Sequence, residues 1–273
     1  MFERVTAVAA VANVECSKLS AQIKARVALV ACTAGPFVFA AAMRVQTSLP
    51  EDTLFGRSVK DSGFALSLVV LGFAALWVLP VLASVVGGDV FSAEDRYGTW
   101  KTILTRSCRR SEVFAGKVAA ALGFSLLATL VLAVSSAAAG VLVIGAEPLV
   151  SLSGTMLSAP HALMRVTLAW ISVLPAMVGM TSVAVLVSVA ARSSTAGVGL
   201  PVVVALAMQL YALVDGPELV RRLFITSGFT AWHGLLAEPA FHGPLAYGAA
   251  VSGAYAIVSL AIAYRLVLRR DIA

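Results

Sequence analysis

Six long stretches of this chain are apolar and almost free of charged residues, and this feature restricts the fold more than any other. A helix needs about 20 apolar residues to cross the hydrocarbon core of a bilayer. We therefore predict six membrane-spanning helices, at Val27–Met43, Phe64–Val86, Val118–Ile144, Val166–Ala191, Ala196–Val214 and Leu245–Tyr264.

The composition of the whole chain indicates that the bilayer is its main solvent. Hydrophobic residues make up 60% of the chain and charged residues 12%, and the mean hydropathy is +0.94. Soluble proteins have roughly 45–50% apolar and about 25% charged residues. The intervals between the six stretches are too short for a soluble catalytic domain. The predicted fold class is an all-α polytopic membrane protein with one transmembrane domain, residues 1–273.

This single domain divides into segments by hydropathy and charge. We predict an amino-terminal interfacial helix over 1–26, spans one and two over 27–88, a charged inner segment over 89–117, spans three and four over 118–191, spans five and six over 196–264, an outer re-entrant loop over 215–244, and a tail over 265–273.

The first residues of the chain have a helical period. Apolar side chains recur every three or four positions, which places them on one stripe of a helix. The stripe consists of Phe2, Val5, Ala9, Ala12, Cys16, Leu19 and Ile23. Polar residues fall on the other faces, so we expect this helix to lie in the cytosolic interface of the bilayer. The alternative is a frayed tail.

The distribution of basic residues predicts the orientation of the chain. With both termini in the cytosol, the inner segments hold fourteen of the 20 Lys and Arg residues and the outer segments hold six. Cytosolic loops retain an excess of Lys and Arg. The net charge of +6 follows from this topology, and no exposed basic domain suited to nucleic acid is present in the sequence.

Several classes of membrane protein lack their usual residues here. The six predicted spans carry no acidic or basic residue at mid-depth, which disfavours proton- or sodium-coupled transport. The sequence has no GxxxxGK[ST] phosphate loop and no metal-ligand or intramembrane protease motif. The three cysteines have no disulfide or metal-ligand spacing. We predict no metal, no cofactor and no ATPase site in this chain.

The outer loop 215–244 is unusually apolar for a loop. Backbone that enters the bilayer must satisfy its own hydrogen bonds, so we expect short helices that dip into the outer leaflet. Phe229 and Trp232 are predicted to be interfacial anchors, because aromatic rings concentrate at the membrane surface. Substrate contact is the alternative role for these two rings.

The inner segment, residues 89–117, combines dense charge with helix-capping residues. Ser92 and Asp95 have the spacing of a capping box at a helix start, and Gly98 can end that helix. Thr99 can cap a second short helix. Trp100 is predicted to be an apolar anchor at the interface. The alternative is that the basic residues here only enforce topology.

At these residues the chain resembles the permease subunits of bacterial type 2 ATP-binding-cassette exporters. In that family a Glu precedes a Gly-Thr pair by four positions, and an Arg and a Gly-Lys pair follow before the third span. The matching residues are Glu94, Gly98, Thr99, Arg110, Gly116 and Lys117. The family often has Pro in the region where this chain has Ser107.

The resemblance extends over nearly the whole chain. Arg269, Arg270 and Asp271 match a frequent ending after the sixth span, and the stretch 229–232 is similar to the last outer loop of the family. Each motif is weak by itself, and together with six spans they are fairly specific.

The resemblance implies partners and a mechanism. The inner segment would contain a coupling helix that docks on a separate cytosolic ATPase subunit, with the ATPase-coupling residues Glu94, Asp95, Gly98, Thr99, Arg110 and Lys117. ATP and Mg would bind only to that partner. The permease would pair with a second copy or a paralogue above two ATPase subunits, as a multi-pass protein of the bacterial plasma membrane.

In this family the first, second and fifth spans usually flank the path. Gln209 and Tyr211 of the fifth span are then candidates for lining it, with buried hydrogen bonding between helices as the alternative role. Prolines at positions 36, 80, 175 and 201 could kink spans where motion is needed, although prolines are frequent in membrane helices.

Three functions remain open from the sequence. The first is an exporter permease for a drug, peptide, lipid or other amphipathic substrate. The second is a non-transporting anchor or immunity protein that recruits an ATPase. The third is an ion-coupled carrier, which the lack of intramembrane charges disfavours.

Overall fold

Six helical runs in the described part of the chain are long and apolar enough to cross a membrane by length and composition. The computed structural model describes residues 2–46, 53–100, 109–212, 214 and 216–270. The runs are Ile23–Val45 (span 1), Gly63–Gly87 (span 2), Arg110–Ile144 (span 3), Ala159–Ala191 (span 4), Ser194–Tyr211 (span 5) and Gly243–Leu268 (span 6). The predicted all-α polytopic membrane fold is confirmed.

The first helix of the chain, Phe2–Ala21 (the N-terminal helix), exists as predicted. Gln22 is extended and separates it from span 1. Within the predicted apolar stripe Leu19 is buried, whereas Ala9 and Cys16 are exposed. The helix packs against span 3 through the side that carries Leu19 and Glu15. The location of this helix in the membrane interface stays a prediction.

Spans 2, 3 and 4 are not uniform α-helices. Span 2 is α-helical over Gly63–Phe73, π-helical over Ala74–Val78 and α-helical again over Leu79–Gly87. Span 3 changes from α-helix at Arg110–Ala139 to π-helix at Gly140–Ile144. Span 4 consists of Ala159–Ser172 and Leu174–Ala191, with a proline in the first turn of each part. Proline suits a first turn because its missing N–H has no helical partner there.

Span 4 forms the centre of the helical bundle. It contacts spans 2, 3, 5 and 6. Of its most apolar window 61% is buried inside the chain, against 22% for span 1 and 17% for span 5. Spans 1 and 5 therefore leave most of their apolar surface to lipid or to another protein.

The end of the bundle opposite the inner segment is more ordered than the sequence suggested. Leu149–Val150 and Met156–Leu157 pair as a two-stranded antiparallel hairpin. The sequence missed it because two residues per strand show no alternation. Short helices occupy Gly56–Ser58, Glu218–Leu223, Ser227–Thr230 and Ala231–Leu236, and the last three lie where short helices were expected.

The hairpin is joined to the last outer loop by polar contacts. The Leu152 N–H donates to the Leu236 carbonyl at 3.0 Å, and Ser153 exchanges hydrogen bonds with the backbone of Glu238 at 2.7 and 3.1 Å. The outer loops therefore cover this end of the bundle together.

The predicted lipid anchors Phe229 and Trp232 are wrong. Each ring is only 1% exposed, so neither reaches a bilayer surface. Trp232 stacks on Phe55 with ring centroids 6.5 Å apart, which places it between two outer loops. The loop therefore buries both rings against the rest of the chain.

Candidate functional site

A short helix, Ser92–Tyr97, follows span 2 and forms the described start of the inner segment. Its end was predicted correctly, because Gly98 has φ 65° and caps the helix in the left-handed conformation. The Gly98 N–H donates to Asp95 O at 3.3 Å and the Thr99 N–H donates to Glu94 O at 3.1 Å, which is the Schellman pattern.

The helix begins at Ser92, near the predicted start, but the predicted capping box of Ser92 and Asp95 is wrong. Ser92 is already helical, and its hydroxyl donates to the Gly88 carbonyl at 2.9 Å instead of capping the helix. The first N–H groups are satisfied by span 4: Ser188 Oγ accepts from Phe91 N at 3.2 Å and from Ser92 N at 3.0 Å. A partner from a distant span therefore replaces the local cap.

Four charged residues meet in one group, which we name the ionic cluster: Glu15, Lys18, Glu94 and Lys117. Lys117 Nζ lies 2.8 Å from Glu94 and 3.0 Å from Glu15. Lys18 Nζ lies 3.0 Å from Glu94 and 2.9 Å from Glu15. The cluster therefore joins the N-terminal helix, the Ser92–Tyr97 helix and span 3.

Three members of the ionic cluster are buried. Lys117 is 1% exposed, Glu94 6% and Glu15 7%. Two cations and two carboxylates balance, and the Lys117 ammonium also donates to the Val90 carbonyl at 3.2 Å. Burial of unpaired charges would be strongly unfavourable, so each charge here depends on the others.

The pKa of Glu94 reflects this arrangement. Burial alone would raise the pKa, but the charge and hydrogen bond of Lys117, with hydrogen bonds from Thr99 and Lys18, lower it to about 2. Glu94 is therefore a carboxylate at any physiological pH and accepts all of these donors.

Gly116 allows the N-terminal helix to approach span 3 beside Lys117. A Cβ at this position would lie 2.6 Å from Val11 Cγ1 and 3.0 Å from the backbone nitrogen of Ala12. Only a residue without a side chain fits there. The Gly-Lys pair of the sequence motif therefore has two structural roles, close helix contact at Gly116 and ion pairing at Lys117.

Asp95 forms a second link, to the end of the chain. Its carboxylate accepts a hydrogen bond from Trp100 Nε1 at 3.0 Å and pairs with Arg270. The Arg270 guanidinium lies 5.0 Å from the centroid of the Trp100 ring. Trp100 is 7% exposed, so the predicted interfacial anchor is wrong: the ring holds the inner segment to the protein rather than to lipid.

Asp89 and Arg110 add two further links. Asp89 pairs with Lys24 at the start of span 1. Burial would raise the pKa of Asp89, but hydrogen bonds from Lys24 and Ser194 lower it overall. Arg110 donates to the carbonyl oxygen of Leu268, the last residue of span 6, at 3.0 Å and to that of Arg270 at 2.8 Å.

The sequence-predicted residues of the inner segment thus lie close together. Glu94 and Lys117 belong to the ionic cluster, and the Thr99 hydroxyl donates to Glu94 from beside it. The second short helix predicted after Thr99 falls on residues 101–108, outside the described residues. In the same Ser92–Tyr97 helix, Arg96 and Tyr97 are exposed.

The sequence did not identify three members of this arrangement: Glu15, Lys18 and Arg270. Glu15 and Lys18 are three positions apart in an otherwise largely apolar helix, which places them on one face. That spacing was a usable signal, but it does not reveal which span they meet. Arg270 was noted only as part of a tail motif.

Gln209 and Tyr211 do not belong to the ionic cluster. Gln209 Nε2 donates to the Leu76 carbonyl of span 2 at 2.5 Å. Tyr211 packs edge-on against Phe224 of the outer loop, with ring centroids 5.3 Å apart. Gln209 thus forms a hydrogen bond between helices, but the bond is exposed and not buried as in the alternative role; a place for Gln209 or Tyr211 on a transport path stays a prediction.

Comparison with known proteins gives one family. A family model described as "ABC-2 family transporter protein" matches residues 12–208, which is more than half of the chain. The match includes the N-terminal helix from residue 12, the inner segment and the first four spans. No curated relative matches the chain significantly.

Replacing Lys117 by Met should lower the free energy of unfolding by about 3 kcal/mol, because two buried carboxylates would then share the half-exposed Lys18. Thermal unfolding of the purified protein in detergent measures the loss. Arg269→Met removes an exposed cation and should cost less than about 1 kcal/mol. Equal losses of stability in the two variants would contradict the proposed contribution of the ionic cluster to the free energy of unfolding.

The contribution of Glu94 should depend on pH. Its pKa is lowered from 4.5 to about 2, so its ion pairs stabilise the fold fully above pH 4.5 and are lost as the pH falls through about 2. The difference in melting temperature between the unmodified protein and Glu94→Gln should therefore shrink between pH 4.5 and 2. Glu147→Gln, at an exposed site, is the control. A difference that stays constant down to pH 2 would refute this pKa assignment.

Gly116→Val should push the N-terminal helix away from span 3. We expect a loss of about 1–3 kcal/mol, because the added side chain overlaps Val11. Faster proteolysis within residues 2–21 would report the displacement. Gly123→Val on the same helix is the matched control, since a Cβ at Gly123 meets no atom within 4 Å. Similar effects of both substitutions would argue against close contact at Gly116.

Proposed function

Because the chain belongs to the ABC-2 family of transporter proteins, we propose that it is the permease subunit of an exporter driven by ATP. The family makes it the membrane component of an ATP-binding-cassette transporter, whose ATPase is a separate subunit. The finer proposal is that it moves an amphipathic substrate, such as a drug, peptide or lipid, out of a bacterial cell.

The ionic cluster is the observation that carries this proposal. A permease that receives force from another subunit needs a stiff contact between its docking surface and its spans. Here the Ser92–Tyr97 helix is tied to the N-terminal helix and span 3 through Glu94, and to the end of span 6 through Asp95 and Arg270. Displacement of this helix would therefore move several spans as one body.

The proposed docking surface is the exposed side of the same helix. Arg96 and Tyr97 project from the protein there, and Tyr97 is 69% exposed. Arg96 lies 4.7 Å from the centroid of the Tyr97 ring. Arginine and tyrosine are enriched among the residues that dominate protein–protein binding. We propose that an ATPase subunit binds here and that Glu94, Asp95, Gly98, Thr99, Arg110 and Lys117 hold this surface in place.

The remaining assembly is proposed from the family. Two ATPase subunits would bind ATP and Mg, and a second permease copy or paralogue would complete the path. Both termini would lie in the cytosol, in agreement with the excess of basic residues on the inner segments.

A groove between spans 1 and 2 is lined by apolar side chains, which supports the proposal that the substrate has an apolar part. Its volume is about 660 Å³, and Phe39, Phe73 and Trp77 are among its lining residues. Lys24 lies at the end nearest the inner segment. Grooves of this kind suit molecules that present most of their surface as hydrocarbon or aromatic rings.

The test combines binding and turnover. When the permease carries Arg96→Glu and Tyr97→Ala, the amount of ATPase that co-purifies with it should fall about tenfold. The reason is that two central contacts of the proposed docking surface with the ATPase are lost. The melting temperature of the permease should stay unchanged, since both side chains are exposed. The control is Arg222→Glu together with Tyr247→Ala, which changes the same residue types on the outer side.

Three outcomes would each contradict one part of this proposal. Full ATPase retention in the Arg96/Tyr97 variant would refute the docking surface. An ATPase that binds but whose turnover never responds to a panel of amphipathic compounds would favour a recruiting anchor. Transport into liposomes from an ion gradient alone, without nucleotide, would favour a carrier.

A further inference from the structure

Four prolines lie away from the ends of membrane-spanning helices in the described part of the chain: Pro36, Pro80, Pro175 and Pro201. Proline has no N–H, so the carbonyl four residues earlier loses its α-helical donor. In water this carbonyl would be hydrated. Inside a bilayer it needs a partner from the protein, because an unpaired polar group in hydrocarbon costs several kcal/mol.

The carbonyl freed by Pro36 has such a partner. It belongs to Cys32, and Ser135 Oγ of span 3 donates to it at 2.6 Å. Cys32 and Ser135 are both buried. One span therefore supplies the donor that the proline of another span removed.

The carbonyl freed by Pro80 also receives a donor from another span, in this case span 5. It belongs to Leu76, and Gln209 Nε2 donates to it at 2.5 Å. Leu76 lies in the π-helical turn Ala74–Val78, directly before Pro80, where the backbone of span 2 departs from the α-helix. A π turn and a proline together loosen the hydrogen-bond ladder at this depth.

A second close contact of span 5 lies just past Gly87, the last residue of span 2. At the inner end, the Gly197 carbonyl lies 2.2 Å from where a Cβ on Gly88 would be. Gly197 precedes Pro201 by four residues, so its carbonyl is also freed by a proline. Span 5 thus touches span 2 or the residue just past it at two freed carbonyls, one on each span.

We propose that Gln209 is a positioning residue for transport, which holds span 5 on the carbonyl that Pro80 leaves free in span 2. Leu76 O is outside the α-helical ladder, so Gln209 binds it without replacing a backbone hydrogen bond of span 2. Span 2 leads directly into the Ser92–Tyr97 helix. Movement of that helix therefore reaches span 5 through the Pro80 break. The pairing itself is independent of the proposed function, and its role in transport rests on that function.

If Gln209 pairs with the carbonyl that Pro80 frees, the effect of changing Gln209 should depend on whether Pro80 is present. Pro80→Ala restores an N–H that donates to Leu76 O when the π turn before it becomes α-helical, so Gln209 becomes dispensable. Gln209→Met keeps the length of the side chain and removes its donor. The loss caused by Gln209→Met should therefore be large in the unmodified chain and absent when Pro80→Ala is present.

Thermal unfolding of the purified permease in detergent tests the pairing. Gln209→Met should lower the melting temperature by about 2–6 °C. Pro80→Ala/Gln209→Met should melt within about 1 °C of Pro80→Ala. Pro36→Ala/Gln209→Met is the mismatched control and should keep the full loss, since Pro36 frees a different carbonyl. Tyr211→Phe, a polar deletion two residues away, should change little.

Each result of the thermal unfolding experiment either supports or overturns the pairing of Gln209 with the Leu76 carbonyl. An unchanged melting temperature in Gln209→Met, or an equal loss in the presence of Pro80→Ala, overturns the pairing. If Gln209→Met alone does not fold, recovery of folded protein by Pro80→Ala and not by Pro36→Ala supports it, and failure to recover overturns it.

The role in transport is measured as ATP hydrolysis by the complex with the co-purified ATPase. Gln209→Met should lower turnover by about two- to thirtyfold, and Pro80→Ala should restore it to the level of the Pro80→Ala single variant. Normal turnover in Gln209→Met overturns that role. If no ATPase binds even the unmodified chain, the proposed function fails, while the thermal comparison still decides whether Gln209 pairs with the Pro80 break.

Discussion

The burial of Lys117 beside Glu94 and Glu15 is the interaction on which the inner end of this protein depends. A side chain that is 1% exposed can carry a charge only if carboxylates surround it. These carboxylates come from the N-terminal helix and from the short helix after span 2. Each charge therefore specifies the position of the others, and three elements distant in sequence become one unit.

The same physical rule acts deeper in the bundle, where backbone carbonyls take the place of charges. Pro36 and Pro80 each free a carbonyl, and Ser135 and Gln209 supply the missing donors from neighbouring spans. Ion pairs thus organise the end that faces an ATPase, in the proposed assembly, and freed carbonyls organise the middle. Both devices join helices through groups that could not remain unpaired in an apolar medium.

Errors in the sequence predictions have a common cause. Phe229 and Trp232 were assigned to the membrane surface because aromatic rings are common there, and Trp100 was assigned as an apolar anchor beside it. In the structure each ring is buried against other parts of the chain. Ser92 was assigned as a local cap, but Ser188 of span 4 satisfies that helix start. In every case a distant contact replaced the local role that a pattern indicates.

The sequence alone determined the six spans, the amino-terminal helix, the glycine end of the short inner helix and the family resemblance. These features follow from local properties: apolar length, helical period, and the left-handed conformation that Gly98 tolerates. The tertiary structure alone decided that Glu15, Lys18 and Arg270 complete the inner end, and that Gln209 pairs with the Pro80 break. A sequence states which groups need partners, and only the packing of the helices brings those partners within hydrogen-bond distance.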